Sequence, residues 1–587
     1  MAVEKLIVDH IDTWTTALQT RSTAGRGSSG KIDLYGIKKL RELILELAVR
    51  GKLVPQDPND EPASELLKRI AAEKAELVKQ GKIKKQKPLP EISEEEKPFE
   101  LPGGWEWVRL GDLGIIGSSS RVHQKDWTSR GVPFYRAREI VSLAKNGFVN
   151  NELFITNELF ETLAKNGLHP EENDIMLTGV GTIGVSYIVK AFERFYFKDA
   201  SVLIFKNIHK LYHEYLNCIF QSPYWFNEIY KNSMGTTVHT LTISRAVDVL
   251  IPIAPEKEQF SINANVQMLM DLCDQLEQQS LTSLDAHQQL VETLLTTLTD
   301  SQNADELAEN WERISEHFDT LFTTEASIDA LKQTILQLAV MGKLVPQDPN
   351  DEPASELLKR IAQEKAQLMK DGKIKKQKPL PPISDEEKPF ELPEGWEWSR
   401  LDHVASKITD GDHKTPPRIA EGYKLLSAKN IRDGFLDYEN CDYISESSYI
   451  KSRERCLPAK GDLLIVSVGG TIGRSSLITG NSEFALVRSV AIIKPLIIEP
   501  NFLKIAMDSQ LLQSMIHSHK RGGAQPCLYL GEISKFLFPV PPLKEQKRIV
   551  KTVNIFMGIL ETLTLAFKSA QQTQLHLADA LTDAAIN

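Results

Sequence analysis

Three stretches of this chain hold residue types at spacings that support chemistry in other proteins. Gly179-Val180-Gly181-Thr182-Ile183-Gly184 fits GxGxxG, by which backbone amides at a strand-to-helix turn cradle a pyrophosphate. A single match is weakly specific, and the corresponding Val468-Gly469-Gly470-Thr471-Ile472-Gly473 lacks the first glycine. Both read as tight turns between strands. Asp410, Asp412 and His413 are metal-ligand types close together, but without a distant fourth ligand such a run is more simply a turn. Glu95-Glu96-Lys97 carries the acids and base of a nuclease cluster. It lies in a Pro-rich linker and recurs as Glu386-Glu387-Lys388, which favours a solvated charge run. No GxxxxGK[ST] phosphate loop occurs, nor the (Asn/Asp)-Pro-Pro-aromatic motif of amino-methyltransferases; Thr415-Pro416-Pro417-Arg418 is not one. Cys218, Cys273, Cys441, Cys456 and Cys527 form no CxxC pair and read as buried or free thiols of a cytosolic protein. The expectation is therefore a chain that catalyses nothing and holds no cofactor or metal of its own.

What must position any functional residue is a duplication. The block LAVRGKLVPQDPNDEPASELLKRI returns as LAVMGKLVPQDPNDEPASELLKRI at an offset of 291 residues. About 58 of 71 positions agree between residues 40–110 and 331–401, and residues 51–71 match without a break. A fainter match upstream pairs Asp9-His10-Ile11-Asp12-Thr13 with Glu316-His317-Phe318-Asp319-Thr320, and residues 23–30 read as a flexible linker. A second repeat pairs Pro252-Ile253-Ala254-Pro255-Glu256-Lys257-Glu258-Gln259 with Pro539-Val540-Pro541-Pro542-Leu543-Lys544-Glu545-Gln546. Each leads into a long helical pattern with 4-3 apolar spacing: Ile262, Val266, Leu269, Cys273 and Leu276, then Val291, Leu294 and Leu298; and Ile549, Val553, Phe556, Leu560, Leu563, Phe567 and Ala570, then Leu577 and Leu581. This is coiled-coil spacing. Ser280, Ser283 and His287 make the middle of the first seam polar, where buried polar groups would fix register.

Between the repeats lie two stretches of nearly unrelated sequence. Traces of a common fold survive in Asn173-Asp174-Ile175-Met176-Leu177 against Gly461-Asp462-Leu463-Leu464-Ile465, in a recurring Thr-Ile-Gly, and in Ser201-Val202 against Ser489-Val490. Short β-rich runs suggest α/β or mixed domains. Boundaries fall at 1–99 (helical region and linker), 100–254 (first variable domain), 255–390 (central region), 391–541 (second variable domain) and 542–587 (terminal helix). The simplest reading is a scaffold that meets one kind of partner twice while its two domains recognise different things.

Composition is that of a globular chain, with no unbroken apolar run of 18 residues, so no membrane-spanning helix is expected; the N-terminal residues lack a signal-peptide core. The net charge of -10 speaks against a nucleic-acid partner. Yet the variable stretches carry about 15 basic against 16 acidic residues and about 18 of each, so the acidic excess lies elsewhere.

Two diverged domains, each followed by a PxPPxxEQ-type turn into a long helix, resemble the specificity (S) subunit of type I restriction-modification systems. The GKLVPQDPNDEPASELLKRI block resembles the type IB branch. The resemblance covers essentially the whole chain. It implies an α+β (mixed) architecture: two α/β target recognition domains joined by long helices in an antiparallel coiled coil, with pseudo-two-fold duplication. It further implies double-stranded DNA, two methyltransferase subunits and restriction/translocase subunits as partners, a cytoplasmic location and no membrane. S-adenosylmethionine, ATP and Mg would be used by other subunits. A helical scaffold without DNA affinity, or a self-sufficient methyltransferase or nuclease, are the alternatives.

On that resemblance, DNA contacts are sought among polar and basic residues in loops of the variable domains. Asp412, His413, Lys414 and Thr415 lie in a stretch similar to the DGxHxTP common in such domains, and Arg121, His123 and Lys125 occupy its counterpart. Arg136 and Arg138 match Lys429 and Arg432 at strand ends, while His239 matches Arg521 and Gln525 before the last strand.

Overall fold

The computed structural model describes residues 3–21, 31–231, 239–375, 379–480, 483–523 and 526–586. The chain divides into two units: Met1–Gln19, Ile32–Leu281 and Gln571–Asn587 form one, Thr20–Lys31 and Thr282–Ala570 the other.

In the first unit four antiparallel strands lie in the order Ile115–Gly117, Val202–Lys206, Ile175–Thr178, Ser186–Ile188. A smaller sheet sets Val132–Tyr135 antiparallel to Phe154–Ile155 and parallel to Tyr196–Phe197. The second unit repeats this: Ala405–Asp410, Val490–Pro495, Leu463–Val466, Ser475–Leu477 in one sheet, and Tyr423–Leu426 parallel to Phe484–Leu486 in another. The central strands are continuous apolar runs, buried at every position in Ile175–Thr178 and Leu463–Val466, because both faces are covered. Each domain is closed at its foot by a two-stranded ribbon, Glu106–Arg109 with Leu250–Ile253 and Glu397–Arg400 with Leu537–Val540. The chain enters and leaves each domain side by side. The architecture is mixed α+β and duplicated, with a long helix following each domain.

The repeated blocks build the same joint twice. At the start of the helix Glu256–Asp300, the buried Glu258 accepts hydrogen bonds from the Trp105 indole (3.0 Å) and the Gln56 amide (3.3 Å). At the start of Leu543–Ile586, Glu545 accepts from Trp396 and Gln347, both at 3.1 Å. The neighbouring Gln259 and Gln546 donate to the Ala254 and Pro541 carbonyls at 2.9 Å. Lys343 donates to the carbonyls of Thr299 and Ser301, capping one long helix, and Lys52 does so to Ile586 at the end of the other.

One difference between the copies is coupled. Glu46 accepts from the Tyr224 amide at the start of a domain helix and is neutralised by Arg50 at 2.8 Å. In the second copy Gln337 accepts from the Leu511 amide, and Met341 stands where Arg50 was. The acceptor is kept, and the cation disappears with the anion it balanced.

The seam keeps to the spacing in two dry stretches. Ile262, Val266, Leu269, Cys273 and Leu276 are buried in the first unit, where Ser261, Asn265 and Leu269 share a cavity with Leu581, Ala584 and Ala585 from the far end of the last helix. In the second unit Val291, Leu295 and Leu298 share a core with Ile549, Val553 and Leu560. Early residues of one helix meet late residues of the other, so the pair is antiparallel. Two expectations change. Ser283 is exposed and Ser280 only partly covered, so they set no register; His287 alone reaches a partner, the Leu321 carbonyl at 2.9 Å. Ala570 and Leu577 are also exposed, and Ala578 takes the buried place one residue after Leu577, as Leu295 does after the half-buried Leu294. The last helix contains a window with mean hydropathy 1.5, long and apolar enough to cross a membrane by composition. Ile549, Val553 and Leu560 of that helix serve the core of the second unit.

Burial raises the Glu545 carboxyl above its ordinary value, against the opposing pull of Gln347 and Trp396. A carboxyl with a raised folded value binds its proton more tightly folded than unfolded, so stability falls as pH climbs from the ordinary carboxylate range through the raised value. Glu545→Gln should therefore gain stability relative to the parent across that window. Glu545→Ala should lose about 1–3 kcal/mol at every pH, since the Trp396 and Gln347 donors are orphaned. Urea midpoints from pH 4 to 7 check both.

Candidate nucleic-acid interface

In the second domain the strand Ala405–Asp410 runs out into a loop that only glycine can begin. A Cβ on Gly411 would lie 2.0 Å from the Leu486 carbonyl oxygen. That closeness lets the Asp412 amide donate to Leu486 O (2.8 Å) and the Arg488 amide to Asp412 O (3.0 Å). Asp410, largely buried, faces Arg455 Nη2 at 2.6 Å and His413 Nε2 at 3.0 Å. The same His413 nitrogen stands 2.8 Å from Arg455 Nη2, so it donates to Asp410 in one tautomer and accepts from Arg455 in the other. The Asp412 carboxylate accepts from the Ser452 hydroxyl. Lys414 and Thr415 project from the loop, exposed.

Four more segments close around this one. In residues 427–432 the buried Asn430 accepts from the Ser427 amide and donates to the carbonyls of Asp437 and Asn440, while Lys429 pairs with Asp442 (3.1 Å) and Arg432 with Asp437 (3.5 Å). The Ser467 amide donates to Ser489 O, the Leu528 amide to Ser467 O and the Gly469 amide to Pro526 O. Arg521 and Cys527 exchange backbone bonds, and Arg521 lies 3.6 Å from Glu532. Gln525 lies outside the described residues.

The first domain gathers the equivalent segments. Ser118 accepts from the Ala200 amide and donates to Val202 O, and Ser119 donates to Phe197 O. Beyond them Arg121, His123 and Lys125 are exposed. The Gly179 amide donates to Ser201 O, the Leu241 amide to Gly179 O and the Gly181 amide to His239 O. The exposed His239 ring packs against Tyr230. Arg136 and Arg138 stand apart. Both bind Glu139, which is 2 % exposed, and Arg138 also reaches Glu152. Burial opposes ionisation of Glu139, but hydrogen bonds from the two arginines overcome it and hold its carboxyl below the ordinary value.

The glycine-rich stretches pack rather than cradle. Gly184 sits at φ 79°, and a Cβ there would lie 2.2 Å from Ile229 Cδ1. The next element is the strand Ser186–Ile188, not the helix a pyrophosphate site needs. The acidic linkers are less solvated than expected: Glu96 and Glu387 clasp the buried Arg109 and Arg400 of the closing ribbons at 2.9 and 2.8 Å. Among the described residues no cluster of His, Cys, Asp or Glu could hold a metal ion. The segments 198–201 and 487–489, which tie the other loops together, escape a reading of the sequence, although the recurring Ser-Val lies at their ends; so does Arg455.

A family model described as "Type I restriction modification DNA specificity domain" matches residues 102–286 and 393–566. The chain belongs to that family. Over its whole length this specificity subunit is 50% identical to the Escherichia coli "Type I restriction enzyme EcoAI specificity subunit" and 46% identical to the EcoEI specificity subunit of the same species, each covered in full. Among solved structures, the HsdS subunit from Thermoanaerobacter tengcongensis is similar at 18% identity and a TM-score of 0.38, covering 83% of this chain and 98% of that one.

Because Gly411 admits no side chain, Gly411→Ala must push the 411–417 loop off the Leu486 backbone. The specificity subunit carrying it should assemble normally but bind its DNA at least tenfold more weakly, as measured by fluorescence anisotropy of the assembled enzyme.

Proposed function

We propose that each variable domain reads one half of a bipartite, asymmetric double-stranded DNA site, and that the duplicated scaffold holds two methyltransferase subunits and, through them, the restriction/translocase subunits. The observation that carries this reading is the contrast within one chain. Two joints built from the same residues, Trp105–Glu258–Gln56 and Trp396–Glu545–Gln347, carry two domains with the same order in their four-stranded sheets, whose loops share almost no side chains. A repeated surface suits a repeated partner; unlike loops on a common frame suit unlike half-sites. Specificity comes from groove edges and orientation from phosphates, and the loop set holds cations and amides for both.

The chain itself is a non-catalytic component of the complex. S-adenosylmethionine, ATP and Mg belong to the other subunits, and the assembly works in the cytoplasm, where its DNA is. Lys414 is a phosphate contact in this scheme: an exposed, flexible point charge on a loop tip.

Exchanging residues 100–254 for the equivalent domain of a relative should change one half of the selected site and leave the other intact. Change in both halves would sink the modular reading. Lys414→Ala should flatten the slope of log affinity against log salt by about one, with sequence preference kept. Methylation, ATP hydrolysis and cleavage should all be absent from the purified chain freed of partner subunits.

A further inference from the structure

The segment between the strands Phe484–Leu486 and Val490–Pro495 is the point through which the other loops of the second domain are tied. Val487 donates its amide to Leu426 O (3.1 Å), at the root of the 427–432 loop. Arg488 donates its amide to Asp412 O (3.0 Å), and its carbonyl accepts from the Ser467 hydroxyl (3.3 Å). Ser489 accepts the Ser467 amide at its carbonyl (2.9 Å) and the Ala428 amide at its hydroxyl (3.2 Å). The backbone of Arg488 is therefore fixed on both sides, by the two loops it lies between.

Its side chain is treated otherwise. In the neighbouring loops several cations are already engaged, Lys429 with Asp442, Arg432 with Asp437, Arg521 with Glu532 and Arg455 with Asp410, while Lys414 is exposed on its loop tip. The Arg488 guanidinium is exposed and has no hydrogen-bond or ion-pair partner among the described residues. A planar fork of N–H donors on a backbone that cannot shift is suited to an edge with two acceptors side by side. Guanine presents that pattern in the major groove, at O6 and N7, and no other base does. A phosphate also offers two acceptors to the fork, but a contact to it carries no base preference.

The first domain differs here. Four residues, 198–201, separate its strands Tyr196–Phe197 and Val202–Lys206, against three in the second domain, and they are Lys, Asp, Ala and Ser with no arginine. Two domains that read different half-sites need such a difference where their loops meet.

We propose that Arg488 reads a guanine in the half-site recognised by the second domain, through paired hydrogen bonds to O6 and N7. This rests on the reading of the two domains given above. The test selects sites from a random DNA library with the assembled methyltransferase complex carrying the parent chain, Arg488→Ala or Arg488→Lys. One guanine of the second half-site should become degenerate in Arg488→Ala, with affinity for the parent site reduced about tenfold to a hundredfold, and be partly relaxed in Arg488→Lys, whose ammonium still donates to that guanine, with the first half-site unchanged in both. Arg488→Lys should keep the salt slope, since its charge remains. The proposal is overturned if every position keeps its preference, whether affinity is unchanged or only the salt slope falls by about one as for a phosphate contact. It is equally overturned if the position that relaxes is not a guanine in the parent site. Exchange of residues 391–541 in the same assay separates the two levels. If the second half-site follows the exchanged domain while the Arg488 variants select the parent sequence, this assignment fails and the modular reading stands.

Discussion

A buried carboxylate shared between an indole and an amide is the constraint on which each unit depends. Glu258 and Glu545 join three segments remote in sequence: the Gly-Lys-Leu-Val-Pro-Gln turn, the Gly-Trp-Glu-Trp strand that opens a variable domain, and the long helix that leaves it. Burial of these acids is unfavourable in itself, as their raised proton affinity shows. They are retained because each fixes entry, exit and helix direction with one side chain. An apolar residue would pack there without specifying which donors must meet. Near identity of the two repeats is what this joint requires, since Trp, Gln and Glu have to change together or not at all. The pair Glu46–Arg50 against Gln337–Met341 is such a joint change, caught where neutral and charged solutions satisfy the same amide.

Above the joint the demands reverse. The recognition loops of each domain are tied by main-chain bonds at equivalent places: Gly179 to Ser201 and Leu241 to Gly179 in one, Ser467 to Ser489 and Leu528 to Ser467 in the other. Main-chain ties make no demand on side-chain identity, except where the backbones touch, as at Gly411. That is the physical reason a fold can persist while its loop residues diverge almost completely.

The same division explains what is legible in the sequence. The duplication, the long helices and most of their buried positions can be read because periodicity and repetition report packing directly. Leu577 is misplaced by one residue because the seam is broken by a solvated middle, across which a strict 4-3 count drifts. The loops carrying candidate contacts stand out by their polar residues and positions. Segments 198–201 and 487–489 do not, because what makes them central is a pattern of backbone bonds, and these leave no trace in residue type. The pairing of Arg136 and Arg138 with Glu139 is hidden for a related reason. A basic pair at a strand end looks the same whether it faces solvent or neutralises an acid beneath it.

Magnitudes separate those two cases. In Lys429–Asp442 and Arg521–Glu532 the cation is exposed and the acid partly covered, so each pair is worth about 1 kcal/mol. Glu139 is different. Its side chain is 3% exposed and is bound by both Arg136 and Arg138, so withdrawing the two together would leave a buried charge uncompensated, at about 3–5 kcal/mol. Arg136 is thus held by the fold, whereas Lys429 and Arg521 have weaker partners. A chain with a net charge of -10 can therefore present cations to a polyanion. Partly covered acids hold the cations of its loops in place, and the acidic excess stays outside the two variable domains.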